Sequence, residues 1–200
     1  MNKSISSATL LLLSTLAMPS LADVEQGVYL GLDMNTSLSG TATAEYERSN
    51  VEDEADIDTT GAGIFIGYRS SRNNRVQLSF TSFDVEYEGG TTEEVTGMDF
   101  DWQFVYGDKT VQPYWGLGFG LYTYEDTSDL FVSDEDLRGV SFQLAAGAKF
   151  DIHEHFELDA SYHIKSIAWQ DIVVTNGFAS ETLSLSHTFS YLNLGAAIKF

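Results

Sequence analysis

Three polar residues near position 160 have side chains of the types that could carry out acyl transfer. Asp159, Ser161 and His163 are spaced two residues apart, which places all three side chains on one face of a β-strand. An acid, a hydroxyl and an imidazole are groups that nucleophilic catalysis uses. Adjacent side chains on one strand are, however, held at a rigid spacing that does not form a triad alone. We therefore predict no catalytic residue and interpret the three as ordinary polarity of one strand face.

Charged residues recur on the corresponding face of other predicted strands. If the hairpin register is simple, Lys149 pairs with Glu157 across a short turn. Arg69 and Arg75 face each other across another turn, and because opposed like charges are destabilising we expect an acid such as Glu157 or Asp159 between them. Buried charges need partners, so we predict a structural ion-pair network, with a gate or proton path as the alternative. Its members are Arg69, Arg75, Asp99, Asp101, Lys149, Glu157, Asp159, Lys165 and Lys199.

The strands that would position these residues begin after a predicted signal peptide over residues 1–22. Lys3 supplies a positive charge, residues 8–16 are mostly apolar, and residues 20–22 (Ser-Leu-Ala) form a small-x-small cleavage site. The apolar stretch is too short to cross a bilayer as a helix. We predict that residues 23–200 form one domain.

Residues 23–200 show the two-residue periodicity of β-strands. Eight segments have apolar series that begin at Val28, Ala62, Val76, Met98, Pro113, Val140, Phe156 and Ser190. Short spacers occur at 70–74, 107–112 and 151–155, and long polar spacers at 35–60, 83–96, 125–139 and 168–187. This alternation is typical of an up-and-down barrel whose two rims lie in different compartments.

The two faces of the predicted strands differ in charge. No residue of the eight apolar series is charged. In a soluble barrel or sandwich that face would form the core, whereas in an outer-membrane barrel it would face lipid and the charged face would line the lumen. Outward aromatic residues near the short turns fit an interfacial girdle. They are Tyr68, Tyr106, Trp115, Phe150, Phe156 and Phe200.

A column of glycines favours the lipid-facing arrangement. Gly116, Gly118 and Gly120 alternate with large apolar residues, and on a solvent-facing side they would only weaken the strand. The interior of an eight-stranded barrel is just wide enough to be filled by side chains. We therefore expect the glycines to make room for bulky inward residues such as Tyr29, Phe65, Tyr114 and Tyr191.

Composition limits the classes of partner. The net charge of −20 argues against nucleic acid, because phosphate binding needs clustered lysine and arginine. The chain has no cysteine, so an exported form of it has no disulfide and no lipidated cysteine.

Two stretches resemble small OmpA/OmpX-like outer-membrane barrels. VQPYWGLGFGLY (111–122) resembles the central strand of that family, and residues 139–164 resemble the hairpin that follows it. The resemblance implies an all-β fold, an eight-stranded antiparallel up-and-down transmembrane barrel in the outer membrane. It does not extend to the periplasmic peptidoglycan-binding domain of OmpA, so no function of that domain is carried over.

The final residues, NLGAAIKF (193–200), resemble the β-signal that the barrel-assembly machinery reads. Asn193 takes its polar position, Gly195 its glycine, Ile198 its hydrophobic position and Phe200 its terminal aromatic. The resemblance implies that this machinery is a partner of the C-terminal strand.

Acidic residues are dense in two predicted extracellular loops, VEDEADID (51–58) and SDEDL (133–137), and are joined by Glu86, Glu88, Glu93 and Glu94. We interpret them as solvated, mutually repelling loops. Carboxylates also suit Ca²⁺ or Mg²⁺, but the EF-hand spacing is missing, so no metal ligand or cofactor is predicted. A divalent cation that bridges the loops to lipopolysaccharide phosphates is the alternative. His153 and His155 are interpreted as exposed turn residues.

We predict a monomeric, non-enzymatic outer-membrane protein with a structural or surface-contact role. Its partners would be membrane lipid and lipopolysaccharide, and the loops carry no readable code for an extracellular partner. A filled lumen argues against a general diffusion porin. One alternative is a lipid A-modifying enzyme, although the known deacylase motif is His-x-Ser and the order here is Ser161-x-His163. The other alternative is a soluble periplasmic ligand-binding barrel.

Overall fold

The chain forms a single antiparallel sheet that closes on itself. The computed structural model describes residues 26–46, 51–70, 74–88, 90–106, 110–125, 137–176 and 179–200. The strands are β1 (Gly27–Tyr46), β2 (Val51–Arg69), β3 (Asn74–Tyr87), β4 (Thr92–Val105), β5 (Val111–Glu125), β6 (Leu137–His153), β7 (Phe156–Trp169), β8 (Ile172–Asn176) and β9 (Ala179–Lys199). Each pairs with its neighbour along the chain from β1 to β7, and β9 pairs with both β7 and β1.

The ring has eight positions, as predicted, although the residues that the structure describes form nine strands. The short β8 pairs only with the start of β9, where Ile172 lies opposite Leu183. Farther along β9, Ser186 lies opposite Ala168 of β7. β7 and β8 therefore follow one another along the same edge of β9 and occupy one position of the ring.

An apolar belt covers the outside of the barrel near the short turns. Leu32, Met34 and Leu194 expose 57%, 66% and 67% of their surfaces. Across β5 the belt runs from Val111 to Leu121, the length that a tilted strand needs to cross a bilayer. Trp115 Nε1 donates a hydrogen bond to the Tyr106 hydroxyl at 2.8 Å, and both aromatic residues lie at the short-turn end.

Beyond this belt, farther from the short turns, the apolar face of the strands is the inner one and the polar face is the outer one. Apolar and aromatic side chains turn inward and pack into a cluster, which we call the upper core. It contains Ala42, Ile57, Phe83, Val85, Val95, Tyr122, Tyr124, Leu137, Ile167, Trp169, Phe189 and Tyr191. Outward positions at this end carry polar residues, for example Ser184, Ser186 and Thr188 on β9. The barrel wall thus continues past the belt as a β-cylinder with a packed apolar interior, which we call the extension.

This extension corrects the prediction of long loops. The first acidic run, 51–58, is the start of β2 and pairs with β1. Glu86 lies on β3 and Glu93 on β4, and a short turn joins these strands. Gly90 of that turn has a φ of 86°, a conformation that glycine adopts without strain. The predicted signal peptide (1–22) and residues 133–136 of the second acidic run lie outside the described residues.

The glycine column does lie on the inner wall. A Cβ at Gly118 would meet Asp101 Oδ1, and it would lie 2.9 Å from Gln143 Cγ. At Gly120 it would meet Asp99 Oδ1. The column therefore makes room for polar side chains. Two of the bulky aromatic residues are accommodated by other glycines, since the Phe65 ring lies against Gly31 and the Tyr29 ring against Gly67.

Candidate functional site

The site formed by the predicted charged residues is the interior of the barrel. At the short-turn end, Arg75 of β3 donates from Nη1 to both carboxylate oxygens of Glu157, at 2.7 and 2.8 Å. The side chains expose only 1% and 2% of their surfaces. The guanidinium also lies 3.8 Å from the ring centroid of Tyr29, a cation–π contact. Arg69 is the cross-strand partner of Arg75, so an acid does approach this arginine pair.

The predicted pairing of Lys149 with Glu157 is wrong. A register shift between Asp151 and His153 of β6 places Asp159 opposite Lys149. Lys149 Nζ donates to Asp159 Oδ2 at 2.7 Å. The turn consists of Glu154 and His155, and β6 has one extra residue between Asp151 and His153. The pairs above the turn therefore differ from those of the simple register, and Glu157 is left for Arg75.

A third buried ion pair lies farther from the short turns. Lys165 Nζ donates to Asp99 Oδ2 at 2.7 Å and also contacts the Tyr122 hydroxyl. Tyr122 in turn donates to the same carboxylate oxygen at 2.5 Å, and Ser141 donates to Asp99 Oδ1 at 3.1 Å. The carboxylate therefore has a partner on each oxygen, which a buried charge requires.

Two further lumen carboxylates are held by uncharged donors. Gln143 Nε2 donates to Asp101 at 2.5 Å, while Tyr191 donates to the carbonyl oxygen of the same amide at 3.0 Å. Asp33 accepts a backbone hydrogen bond from Gly63. Acids thus outnumber cations in this layer, and the amide and hydroxyl groups complete its hydrogen bonding.

The other two predicted network members lie near the rim. Lys199 Nζ donates to Asp151 at 2.5 Å, and these side chains are 17% and 26% exposed. Arg69 ends β2 and is half-buried.

Asp159, Ser161 and His163 contact one another, but in an order that does not activate the serine. Ser161 Oγ lies 2.8 Å from Asp159 Oδ1 and 3.0 Å from His163 Nε2. A hydroxyl has one proton to donate, and the carboxylate can only accept it, so His163 Nε2 must carry its own proton and donate to Oγ. A catalytic histidine would instead accept the serine proton.

The lumen leaves little free space. A cavity of about 40 Å³ lies among the polar layer, between Asp33, Gln103 and Asn193, and it has room for a few water molecules. Among the residues the structure describes, no three acidic, histidine or cysteine side chains are grouped as metal ligands require. His153 and His155 lie at the rim with ring centroids 5.8 Å apart.

The residues of the predicted assembly signal lie at the end of β9, and Phe200 follows directly after it. Asn193 and Gly195 face the lumen, and Ile198 faces outward beside Phe156 and Leu30. Phe200 donates its backbone N–H to Val28 at 2.9 Å. The segment thus joins the last strand to the first.

Sequence reasoning missed the polar partners that surround the ion pairs. Tyr122 and Gln143 lie at inward positions and are buried to 2% and 3% exposure. Their alternation with outward apolar residues was the available signal. Charge alone does not reveal uncharged donors such as these. Nor does it reveal His187, which is fully buried beside the upper core between Tyr87 and Trp169.

A closed antiparallel ring with an apolar belt outside and buried ion pairs inside defines a transmembrane β-barrel. The chain belongs to the family described as the outer membrane protein beta-barrel domain, whose model matches residues 8–196. The protein is therefore an outer-membrane protein of a Gram-negative bacterium. In the part of the chain that the structure describes, no helix is both long and apolar enough to span a bilayer. No match was found among curated proteins.

Solved structures show the same fold. Neisserial surface protein A shares 17% identity with a TM-score of 0.54, over 87% of this chain and 97% of that one. OprG from Pseudomonas aeruginosa shares 14% identity with a TM-score of 0.54, over 89% and 99%. AlkL, solved in DMPC lipid bilayers, shares 18% identity with a TM-score of 0.55, over 93% and 96%. At these identities the likeness concerns the fold alone.

Proposed function

We propose that the protein is a non-enzymatic outer-membrane barrel that is closed to solutes and has a structural or surface-contact role. The observation that carries this proposal is the filled lumen. Three buried ion pairs occupy the belt region, and the upper core closes the barrel above them. A solute would have to displace both layers to pass.

The outer surface of the extension supports a role in contacts at the cell surface. It presents carboxylates at outward positions of β2, β3 and β4, including Asp58, Glu86 and Glu94. In this proposal the extension faces the medium, and its carboxylates are bridged to lipopolysaccharide phosphates by divalent cations. The protein acts as a monomer and is inserted by the barrel-assembly machinery through residues 193–200.

The lipid A-modifying alternative lacks support from the candidate side chains. Ser161 directs its proton to Asp159, and both Ser161 and His163 face the filled lumen rather than lipid. Replacement of Ser161 or His163 by alanine should leave the lipid A profile of producing cells unchanged. A lipid A modification that is lost with either variant would establish the enzymatic function. The soluble periplasmic alternative disagrees with the outer-membrane family.

Conductance in a planar bilayer tests the closed barrel. Purified, refolded protein should show no steady channel, while a general diffusion porin in the same apparatus serves as the positive control. The fraction of folded protein is measured on the same sample by its shifted gel mobility before heating. A steady conductance from folded protein would contradict the proposal.

A further inference from the structure

The outer wall carries a groove built from small residues. Its floor is one row of directly paired positions that crosses five strands. The row consists of Ala62, Ser82, Thr96, Thr123 and Arg138. The groove has a volume of about 720 Å³, within the range of lipid- and ligand-sized sites. Four strand spacings make the row about 19 Å long.

Large apolar side chains border the groove on its membrane side. They form the next paired row, Ile64, Phe80, Met98, Leu121 and Val140. These side chains expose from 37% to 61% of their surfaces. A trough of small residues beside a ridge of large ones is shaped to take an extended acyl chain.

The groove rises from the hydrocarbon region toward the membrane surface. Strands of such barrels are tilted by about 35–45°, so a paired row climbs diagonally. Ala62 lies 7 positions before the end of β2 at Arg69, whereas Arg138 lies 15 positions before the end of β6 at His153. Both strand ends are at the short-turn rim, so Arg138 is the upper end of the groove.

Arg138 is distinguished by its charge and its direction. It is exposed and faces outward between the inward Leu137 and Gly139. On the strands that the structure describes, the other lysines and arginines lie on the inward series. The chain carries a net charge of −20, so an outward arginine at the upper edge of an apolar groove is a strong local departure from the overall charge.

Carboxylates set the outer limit of the groove. Asp84 and Glu94 face outward as a directly opposed pair in the row above, and Glu94 accepts a hydrogen bond from Ser82 at 2.9 Å. An anionic head group is therefore repelled from this row and attracted to Arg138, unless a divalent cation neutralises the carboxylates.

We propose that this groove binds one phosphorylated lipid A of the outer leaflet, with an acyl chain along the Ala62–Thr123 trough and a phosphate on Arg138. Arginine is suited to the phosphate because its donors match the phosphate oxygens in pairs. The inference rests on the part of the proposed function that directs the extension outward, and it is independent of the closed lumen.

Native mass spectrometry of the refolded, full mature chain tests the site. The protein is titrated with bisphosphorylated lipid A, dephosphorylated lipid A or phosphatidylglycerol, with Mg²⁺ present to neutralise Asp84 and Glu94. Arg138→Gln should weaken binding of bisphosphorylated lipid A about 10- to 100-fold, and Arg138→Lys should restore part of it. Dephosphorylated lipid A should bind the wild type as weakly as the phosphorylated form binds Arg138→Gln.

Two tryptophan variants separate the groove from the rest of the outer wall. Thr96→Trp fills the trough and should abolish retention of lipid A. Thr188→Trp places the same side chain at an outward position of β9, on the far side of the ring, and should have no effect. Equal retention by the wild type and Arg138→Gln, or equal loss in both tryptophan variants, would overturn the proposal. So would equal binding of phosphatidylglycerol and lipid A. The conductance experiment tests the lumen and does not depend on lipid binding to the groove. Failure of the closed-lumen proposal can therefore be distinguished from failure of the lipid A proposal.

Discussion

At the scale of single residues, the interior depends on ion pairs that are buried away from bulk water. Arg75 and Glu157 satisfy each other across the barrel with two short hydrogen bonds. Loss of one partner leaves an uncompensated buried charge, which costs far more than loss of an exposed pair. The pairs at the rim and in the belt region should therefore differ sharply in their contribution to stability.

Glu157→Gln should destabilise the barrel by about 3 kcal/mol or more, because Arg75 would remain buried without a counter-charge. Asp151→Asn, in the partly exposed pair with Lys199, should cost less than about 1 kcal/mol. The double variant Arg75→Met/Glu157→Leu should recover most of the loss. Urea unfolding of refolded protein in detergent measures all three. Equal small shifts for Glu157→Gln and Asp151→Asn would contradict the role of burial.

Gly118→Ala tests whether the glycines of the inner wall are needed to make room for the polar side chains beside them. The new methyl group would meet Asp101 Oδ1 and approach Gln143, and such overpacking costs about 1–3 kcal/mol. Gly195→Ala is the matched control, since its nearest neighbour would be Asp159 Cβ at 3.4 Å, an ordinary contact. Refolding in detergent without assembly factors keeps any role of Gly195 in assembly out of the comparison. An unchanged unfolding midpoint for Gly118→Ala would refute the explanation.

At the scale of elements, the strands combine two environments in one continuous ladder. Along β3, Phe80 faces lipid with 49% exposure, while Phe83 is buried in the upper core with 1% exposure. Phe83 packs against Phe189 and Tyr191 with ring centroids 5.4 and 5.9 Å away. Two phenylalanines three positions apart are thus stabilised by different surroundings.

Phe83→Ala should cost about 3–5 kcal/mol, because the ring leaves a cavity in a packed core. Phe80→Ala should cost much less, since lipid or detergent chains can fill the vacated space. Unfolding midpoints in the same detergent provide the comparison. If the two substitutions had the same effect, the upper core would not be a packed interior.

The sequence was sufficient to predict the eight-position ring and the outward apolar belt, because uncharged alternate positions recur in all eight segments. It was insufficient for the pairing of Lys149, since an irregularity at the β6–β7 turn depends on the local backbone. The extension was missed because the acidic residues of 51–58 were interpreted as a loop. Ile57 and Thr59 alternate inward there, but the run is too short and too charged for that periodicity to dominate.

At the scale of the whole molecule, lipid contacts the outer surface of the belt and water contacts the outer surface of the extension. The chain has no cysteine, so a single introduced thiol reports its own surroundings. On β9, Leu194 is outward within the belt, Ser184 is outward on the extension, and Leu183 is inward with 9% exposure.

Spin labels at Leu194→Cys, Ser184→Cys and Leu183→Cys should therefore give three distinct results in lipid vesicles. The first should be relaxed by oxygen dissolved in the bilayer, and the second by a water-soluble nickel complex. The third should be poorly accessible to both and should label slowly. Oxygen relaxation of the label at Ser184→Cys equal to that at Leu194→Cys would place the boundary of the belt elsewhere.

The position of β9 also affects the chain during its synthesis. β9 pairs with β1, β7 and β8, yet it is the last strand that the ribosome delivers. Until β9 is synthesised, β1 and β7 each have an unpaired edge. The outward apolar side chains of the earlier strands then belong to an open sheet rather than to a closed barrel in lipid. Unpaired strand edges beside exposed apolar side chains promote aggregation, so the chain is most prone to aggregate before β9 has joined β7 to β1.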